Sequence, residues 1–288
     1  MTTVYLNGEF IPKERAMISV EDRGFIFGDG IYEVVRVIDG RIFEWGLHAA
    51  RLKYGIAGIR IALDASAIDG LKAVCERLVN DNGLADGEAT VYMQVSRGAA
   101  PRTHYFPPAG TAPTVYAAAS RFVVPRDQRD SGVKAITAPD IRWLRCDLKT
   151  VNLLGAVLGR QAAAEAGAYE AILLRDGVVT EGAATNVFGV VDGVVRTHPL
   201  GNLILPGITR AVVVALMREN NIALVETPIT HDELRRASEL MLVGTTTDVT
   251  GVVLLDGKPV GAGAPGPMTL RLQALLDARL YAAVGAGR

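Results

Sequence analysis

The feature that most constrains this chain is a set of Asn-Gly and Asp-Gly pairs, each standing between two short apolar runs. Asn7-Gly8 parts VYL from EFI, and Asp39-Gly40 parts IYEVVRVI from RIF. Asp176-Gly177, Asp192-Gly193 and Asp256-Gly257 repeat the pattern farther along. Such pairs tolerate the positive φ of two-residue hairpin turns, so each predicts two antiparallel strands in tandem. A purely parallel, doubly wound sheet would need a crossover helix at each of these points. Apolar residues at helical spacing mark 47–59, 66–80, 152–166, 209–220 and 267–284. Ser66 is the expected N-cap of the second helix and Asn82-Gly83 its stop. Further strands are expected near 90–98 and 114–120. The expected fold class is α+β, or mixed α/β, in two domains. A smaller N-terminal α/β domain spans 1–120 and a larger C-terminal one 121–288, divided where a strand runs into RFVVPRDQRD.

Composition narrows the function classes. With 288 residues and 49% apolar content, the chain can build a core in each domain. A formal net charge of −1 provides no global field for nucleic acid or an anionic membrane. Cys75 and Cys146 make no disulfide framework and read as reduced thiols. MTTVYLNGEF lacks the basic segment and apolar core of a signal peptide. The longest uncharged stretch, 103–120, is interrupted by three prolines and is no membrane span. A soluble, cytoplasmic protein is expected. His48, His104, His198 and His231 show no metal-ligand spacing, and no GxxxxGK[ST] loop is present. GAGAPG at 261–266 lacks the strand–loop–helix context of a dinucleotide site, and GFIFGDG at 24–30 reads as a tight loop before a strand.

Several segments carry polar groups where chemistry is possible, and each has an ordinary structural reading beside it. LPGITR, 205–210, opens a helix near Thr209, whose free N–H groups attract an anion or simply end in a threonine cap. GTTTDVTG, 244–251, is a hydroxyl cluster or a threonine-rich turn. Glu181 in TEGAATNVF is a solvated turn residue or a buried carboxylate that requires a positive partner. Arg102 and His104 in PRTHYFPP offer a carboxylate fork or sit in a charged surface loop. Lys149 in IRWLRCDLKTVNLL, read alone, is a solvated lysine before a helix. Trp143, Leu144, Leu148 and Val151 around it suggest partial burial, which would make its amine nucleophilic toward an aldehyde.

A lysine for an aldehyde, a helix start for a phosphate and a carboxylate for a ring nitrogen are together the parts that pyridoxal 5′-phosphate needs. The blocks EDRGFIFGDGIYEVVRV, SRGAAPRTHYFP, IRWLRCDLKTVNLLGAVLGRQ, EGAATNVFGVVDGVVRTHPLGNLILPGITR and GTTTDVTG follow one another in the chain. With them the chain resembles the fold-type IV pyridoxal-phosphate aminotransferases, and among these the bacterial D-amino-acid aminotransferases. The resemblance spans nearly the whole chain.

The resemblance implies a role for each matching position. Lys149 would join the cofactor aldehyde and then act as the acid–base group of the 1,3-proton shift. Glu181 would pair with the pyridine nitrogen. Arg51, the Ile208 and Thr209 backbone, the Thr209 hydroxyl and Thr245 would hold the phosphate, and Leu205 would pack on the ring. Tyr32, Arg102 and His104 would trap the substrate carboxylate, the last two entering from the partner subunit of a homodimer. The site would lie where the two domains meet. The implied reaction is transamination between D-amino acids and 2-oxo acids, D-alanine and 2-oxoglutarate giving pyruvate and D-glutamate. A branched-chain L-aminotransferase and an aminodeoxychorismate lyase are the alternatives on the same scaffold, and a non-catalytic holder of the cofactor is the alternative outside it. Ala183, Ala184, Gly244 and Arg36 depart from the D-amino-acid pattern and leave the reaction class intact.

Overall fold

The computed structural model describes residues 2–282. By its internal contacts the chain divides into two compact units. The first runs to Val123 and also takes in Leu148–Asn152; the second holds Val124–Asp147 and the described residues from Leu153 onward.

The first unit opens with strands β1 (Thr3–Leu6) and β2 (Glu9–Pro12), the short helix α1 (Arg23–Phe27), and strands β3 (Gly30–Ile38) and β4 (Arg41–Ile42). Helices α2 (Trp45–Gly58) and α3 (Ala65–Asp81) and strands β5 (Glu88–Ser96) and β6 (Thr114–Arg121) follow. The strands form one antiparallel sheet in the order β2-β1-β6-β5-β3-β4. Its alternation is clearest in β5. Val35 and Val37 of β3, Val91, Met93 and Val95 of β5, and Ala117 and Ala119 of β6 are buried with Leu52 and Ile56 of α2 and with Ile68, Leu71, Cys75 and Leu78 of α3. Tyr32, Tyr92 and Tyr116 project from the opposite face, the first two stacked at 5.7 Å between centroids.

The second unit holds helix α4 (Arg126–Ser131), strand β7 (Val133–Pro139), helix α5 (Leu154–Glu165), and strands β8 (Glu170–Arg175), β9 (Val178–Gly182), β10 (Asn186–Val191) and β11 (Val194–Thr197). Then come α6 (Ile208–Glu219), β12 (Leu224–Glu226), α7 (His231–Arg236), β13 (Glu239–Gly244), β14 (Asp248–Leu255), β15 (Lys258–Pro259) and α8 (Pro267–Tyr281). The sheet runs β12-β11-β10-β13-β14-β7-β8-β9, with β15 on β14. It is mixed: β7 runs parallel to both β14 and β8, and β11 to β12. The β7–α5–β8 passage is the crossover that a parallel pair requires. β10 is buried throughout and β13 nearly so, as for strands covered on both faces.

All five predicted hairpins form, and both residues of each pair have positive φ, from 44° at Asp39 to 100° at Gly8. The mixed α/β class is therefore observed. Local details differ. Asp64, not Ser66, precedes α3, and GFIFGDG contributes most of α1 rather than only a loop. Asp22 caps α1 through the Gly24 N–H at 2.8 Å, and Gly28 ends it at φ 67°. A capping box, Thr230 with Glu233 in the pattern T-x-x-E, starts α7. Residues 283 and 284 of the last predicted helix lie outside the described residues. Among the described residues no helix is long and apolar enough to cross a membrane.

Candidate active site

The expected site residues fall into two sets, one in each unit. In the second unit, Glu181 near the end of β9 is 4% exposed. Its carboxylate accepts from the Leu205 N–H at 3.1 Å, from Asn186 Nδ2 at 2.9 Å and from Arg142 Nη1 at 2.5 Å. Burial pushes its pKa up to about 7 against the pull of Arg142. A carboxylate so placed is held for a further cation or proton donor. Leu205 is half-buried and tied to Glu181 through its backbone.

Two residues on, α6 begins. Its N-cap is Gly207, not Thr209, and no side chain caps it. The first N–H groups of a helix have no intrahelical acceptor, so those of Ile208 and Thr209 form a ready anion cradle. A side chain at Gly207 would strike Asn186 Oδ1, so glycine is what lets the chain enter the helix so close to Glu181's amide partner. The start of α8 makes the contrast. There Glu239 accepts from the N–H groups of Met268 and Thr269 at 3.0 and 2.8 Å, so the protein's own carboxylate fills the anion position. That disposes of GAGAPG as a phosphate loop. Thr245 sits half-buried in the β13–β14 turn, beside Gly244.

In the first unit, Lys149 lies in the long connection between β7 and α5. Its carbonyl accepts from the Tyr32 N–H at 2.9 Å, and Val151 N–H donates to Gly30 at 3.0 Å. This pins the segment along the start of β3. Lys149 Nζ stands 4.1 Å from the Tyr32 ring centroid, a cation–π distance. The expectation that Trp143 and Leu144 desolvate the amine is corrected: they are 40% and 61% exposed. The Tyr32 ring supplies the apolar surface beside the amine, while Leu148 is buried in the core of the first unit.

Glu33, one residue after Tyr32, points to the opposite face of the sheet and is fully buried. Arg51 meets it through Nε at 2.7 Å and Nη2 at 2.8 Å, and His48 Nδ1 lies 2.8 Å away. His48 and Arg51 are three apart on α2, hence on one helix face. Burial alone would raise the Glu33 pKa, but Arg51 and then His48 hold it down to about 2. Burial lowers the His48 pKa despite Glu33. The signs agree. The unfolded chain takes up protons on His48 below about pH 6.5 and on Glu33 below about 4.5 that the folded chain resists, so acid removes stability in both windows. Glu33→Gln is expected to cost roughly 3–5 kcal/mol, because it leaves a buried guanidinium without its anion. Urea denaturation at neutral pH and at pH 4 checks both the loss and its shrinkage in acid.

Arg102 and His104 are exposed. Both address Phe27 at the end of α1: the guanidinium carbon of Arg102 is 5.4 Å and the His104 ring 5.9 Å from its centroid. The Thr103 carbonyl accepts from buried Arg23 at 2.8 Å, which fixes the loop between them. Four residues of the site went unassigned at the sequence level. Asn186, Arg142 and Glu33 lie inside the quoted blocks, whereas His48 lies outside them and meets Glu33 only through the packing of α2 on the sheet.

The donor set fits pyridoxal phosphate. The second unit offers a buried acid, a helix start without a side-chain cap close to it in the chain and a hydroxyl turn, and the first unit offers a lysine on a tyrosine face.

The family described as amino-transferase class IV matches residues 30–255. A protein named D-alanine aminotransferase from Bacillus licheniformis is 44% identical over 274 residues, 95% of each chain. One of the same name from Staphylococcus haemolyticus is 42% identical over 273 residues, 95% of this chain and 96% of that one. Among solved structures, the Escherichia coli branched-chain amino acid aminotransferase superposes with a TM-score of 0.87 at 29% identity, covering 94% of this chain and 92% of that one.

Proposed function

The chain belongs to the amino-transferase class IV family, and we propose that within it the protein is a pyridoxal-phosphate-dependent D-amino-acid aminotransferase. The observation that carries the cofactor is the buried Glu181 carboxylate near the end of β9, joined through Leu205 to the start of α6, which has no side-chain cap. The substrate class is supported by relatives named D-alanine aminotransferase over nearly the whole chain, at higher identity than the branched-chain structural relative. The reaction is D-alanine plus 2-oxoglutarate to pyruvate plus D-glutamate.

When bound, the cofactor supplies an electron-accepting ring in conjugation with the substrate nitrogen. The rest is done by this chain. Arg51, the Ile208 and Thr209 N–H groups and the Thr209 and Thr245 hydroxyls would hold the phosphate. Glu181 holds the proton on the ring nitrogen, since a buried anion raises that nitrogen's pKa. Leu205 would pack on the ring and exclude water. Lys149 Nζ would take the proton from the substrate α-carbon and release it across the substrate nitrogen, a 1,3 shift that one tethered amine can span. Tyr32, Arg102 and His104 orient the carboxylate, the arginine by two parallel hydrogen bonds.

Arg102 and His104 reach that position in a homodimer, each from the other subunit. The apolar side chains exposed on the second unit support such pairing. Leu154, Val157 and Leu158 of α5 are 67%, 56% and 51% exposed, and Leu144 and Leu200 are 61% and 58%. The cytoplasm, with its reduced thiols, is the compartment proposed. A coupled assay with D-alanine and, separately, L-leucine as sole amino donor tests the substrate class. D-Alanine is expected to turn over at least about 100-fold faster in kcat/KM, the scale on which a misplaced carboxylate costs rate. Turnover of L-leucine alone would reject this reading in favour of the branched-chain one.

A further inference from the structure

Arg142 belongs to the polar cluster of IRWLRCDLK. Its neighbour Arg145 is exposed and donates twice to Asp147, at 2.9 Å each. Arg142 is different. Its Nε and Nη2 donate to the two oxygens of Asp140, each at 2.9 Å, while Nη1 donates to Glu181 at 2.5 Å. Nη2 also reaches the Leu203 carbonyl at 3.3 Å, on the strap that leads to Leu205. Asp140 is itself fixed, by the Thr180 hydroxyl at 2.8 Å and by Arg175 in an ion pair at 3.1 Å.

The fork on Asp140 would by itself satisfy the charge of Arg142. The third N–H aimed at Glu181 is therefore additional. From the side of Glu181 the need is plain. Among the described residues Arg142 is the one cation that hydrogen-bonds it; its other partners are the Asn186 amide and the Leu205 N–H. Burial drives this acid toward its neutral form, and Arg142 opposes that. Arg142 also offsets part of the carboxylate's charge. A partly offset carboxylate still accepts a ring proton, whereas a protonated carboxyl offers a proton of its own.

We propose that Arg142, anchored by Asp140, is a positioning residue that holds Glu181 ionised and oriented, so that the site selects a ring carrying a protonated nitrogen. This deepens the function proposed above and rests on its assignment of Glu181 to the ring nitrogen.

The test is a competition. Protein freed of cofactor is offered pyridoxal phosphate and its 1-deaza analogue, which has C–H in place of the ring nitrogen, at limiting protein. The ligand then released is quantified by chromatography. The wild-type protein is expected to prefer pyridoxal phosphate, and Arg142→Leu to narrow that preference at least tenfold, with Arg142→Lys restoring part of it. A merely structural role would weaken both ligands equally and leave the ratio unchanged, which overturns the proposal. Should Arg142→Leu not fold, Arg142→Gln and Arg142→Lys make the same comparison, because both retain hydrogen-bond donors. Glu181→Gln separates the two layers. If it removes the preference while the Arg142 variants keep it, only the role of Arg142 falls. If it too leaves the preference intact, the assignment of Glu181 falls with it.

Discussion

Lys149→Ala is expected to lower kcat/KM with D-alanine by at least about 10³-fold, the upper range for losing a positioned acid–base group. The loss is large because one amine serves both ends of the proton shift, and no other amine is available along its segment. The side chain is held by its backbone, through the Tyr32 N–H to the Lys149 carbonyl and the Val151 N–H to Gly30. Alanine keeps those bonds, so thermal stability should change by less than about 1 kcal/mol, as for a half-exposed position away from the core. Two measurements check the assignment together. Steady-state kinetics gives the rate, and peptide mass spectrometry after borohydride reduction gives the cofactor's covalent attachment to the chain. A variant that loses the attachment but keeps full transamination would contradict the role given to Lys149.

Glu181→Gln should cost about 10²–10³-fold in kcat, the scale of removing one preorganised electrostatic partner from a dry site. Glutamine fills the same space and can keep the Leu205 and Asn186 contacts, but it carries no charge to hold the ring proton. The cofactor-free protein should respond in the opposite sense. Burial raises the Glu181 pKa to about 7, so the folded chain binds a proton there that the unfolded chain releases above about pH 4.5. Ionised Glu181 therefore reduces stability as pH rises from about 4.5 to about 7, by about 3 kcal/mol for a shift of this size. Removing the charge should flatten that part of the pH–stability curve. Thermal denaturation of both proteins, with and without cofactor, across pH 5 to 8 checks it. A Gln variant with unchanged kcat would remove Glu181 from the ring nitrogen.

How far these residues could be read from the chain varies with how local their signal is. The Asn-Gly and Asp-Gly pairs needed only their own backbone freedom, and all five became hairpins. The apolar faces of α2, α3 and α6 were equally plain from spacing. Glu181, Lys149 and the GITR helix start each had a commonplace alternative, and only their joint match to one cofactor raised them above it. Ser66 misled because Asp64, two residues earlier, is where the chain turns helical. The parallel pairing of β7 with β8 and β14 carries no turn signature, since its partners are separated by α5 on one side and by most of the unit on the other.

From its residue order alone this protein is bound to antiparallel hairpins, amphipathic helices and the chemical groups of one cofactor site, because turn preference and periodicity act over a few residues. Tertiary structure decides what state those groups are in. It encloses Glu33 among Arg51 and His48 and so holds it ionised. It withdraws Glu181 from water and then sets Arg142 against it. It fills the α8 start with Glu239 while leaving the α6 start without a side-chain cap. Burial and charge pairing depend on partners far away in the chain, and those distances exist only once the sheets have formed.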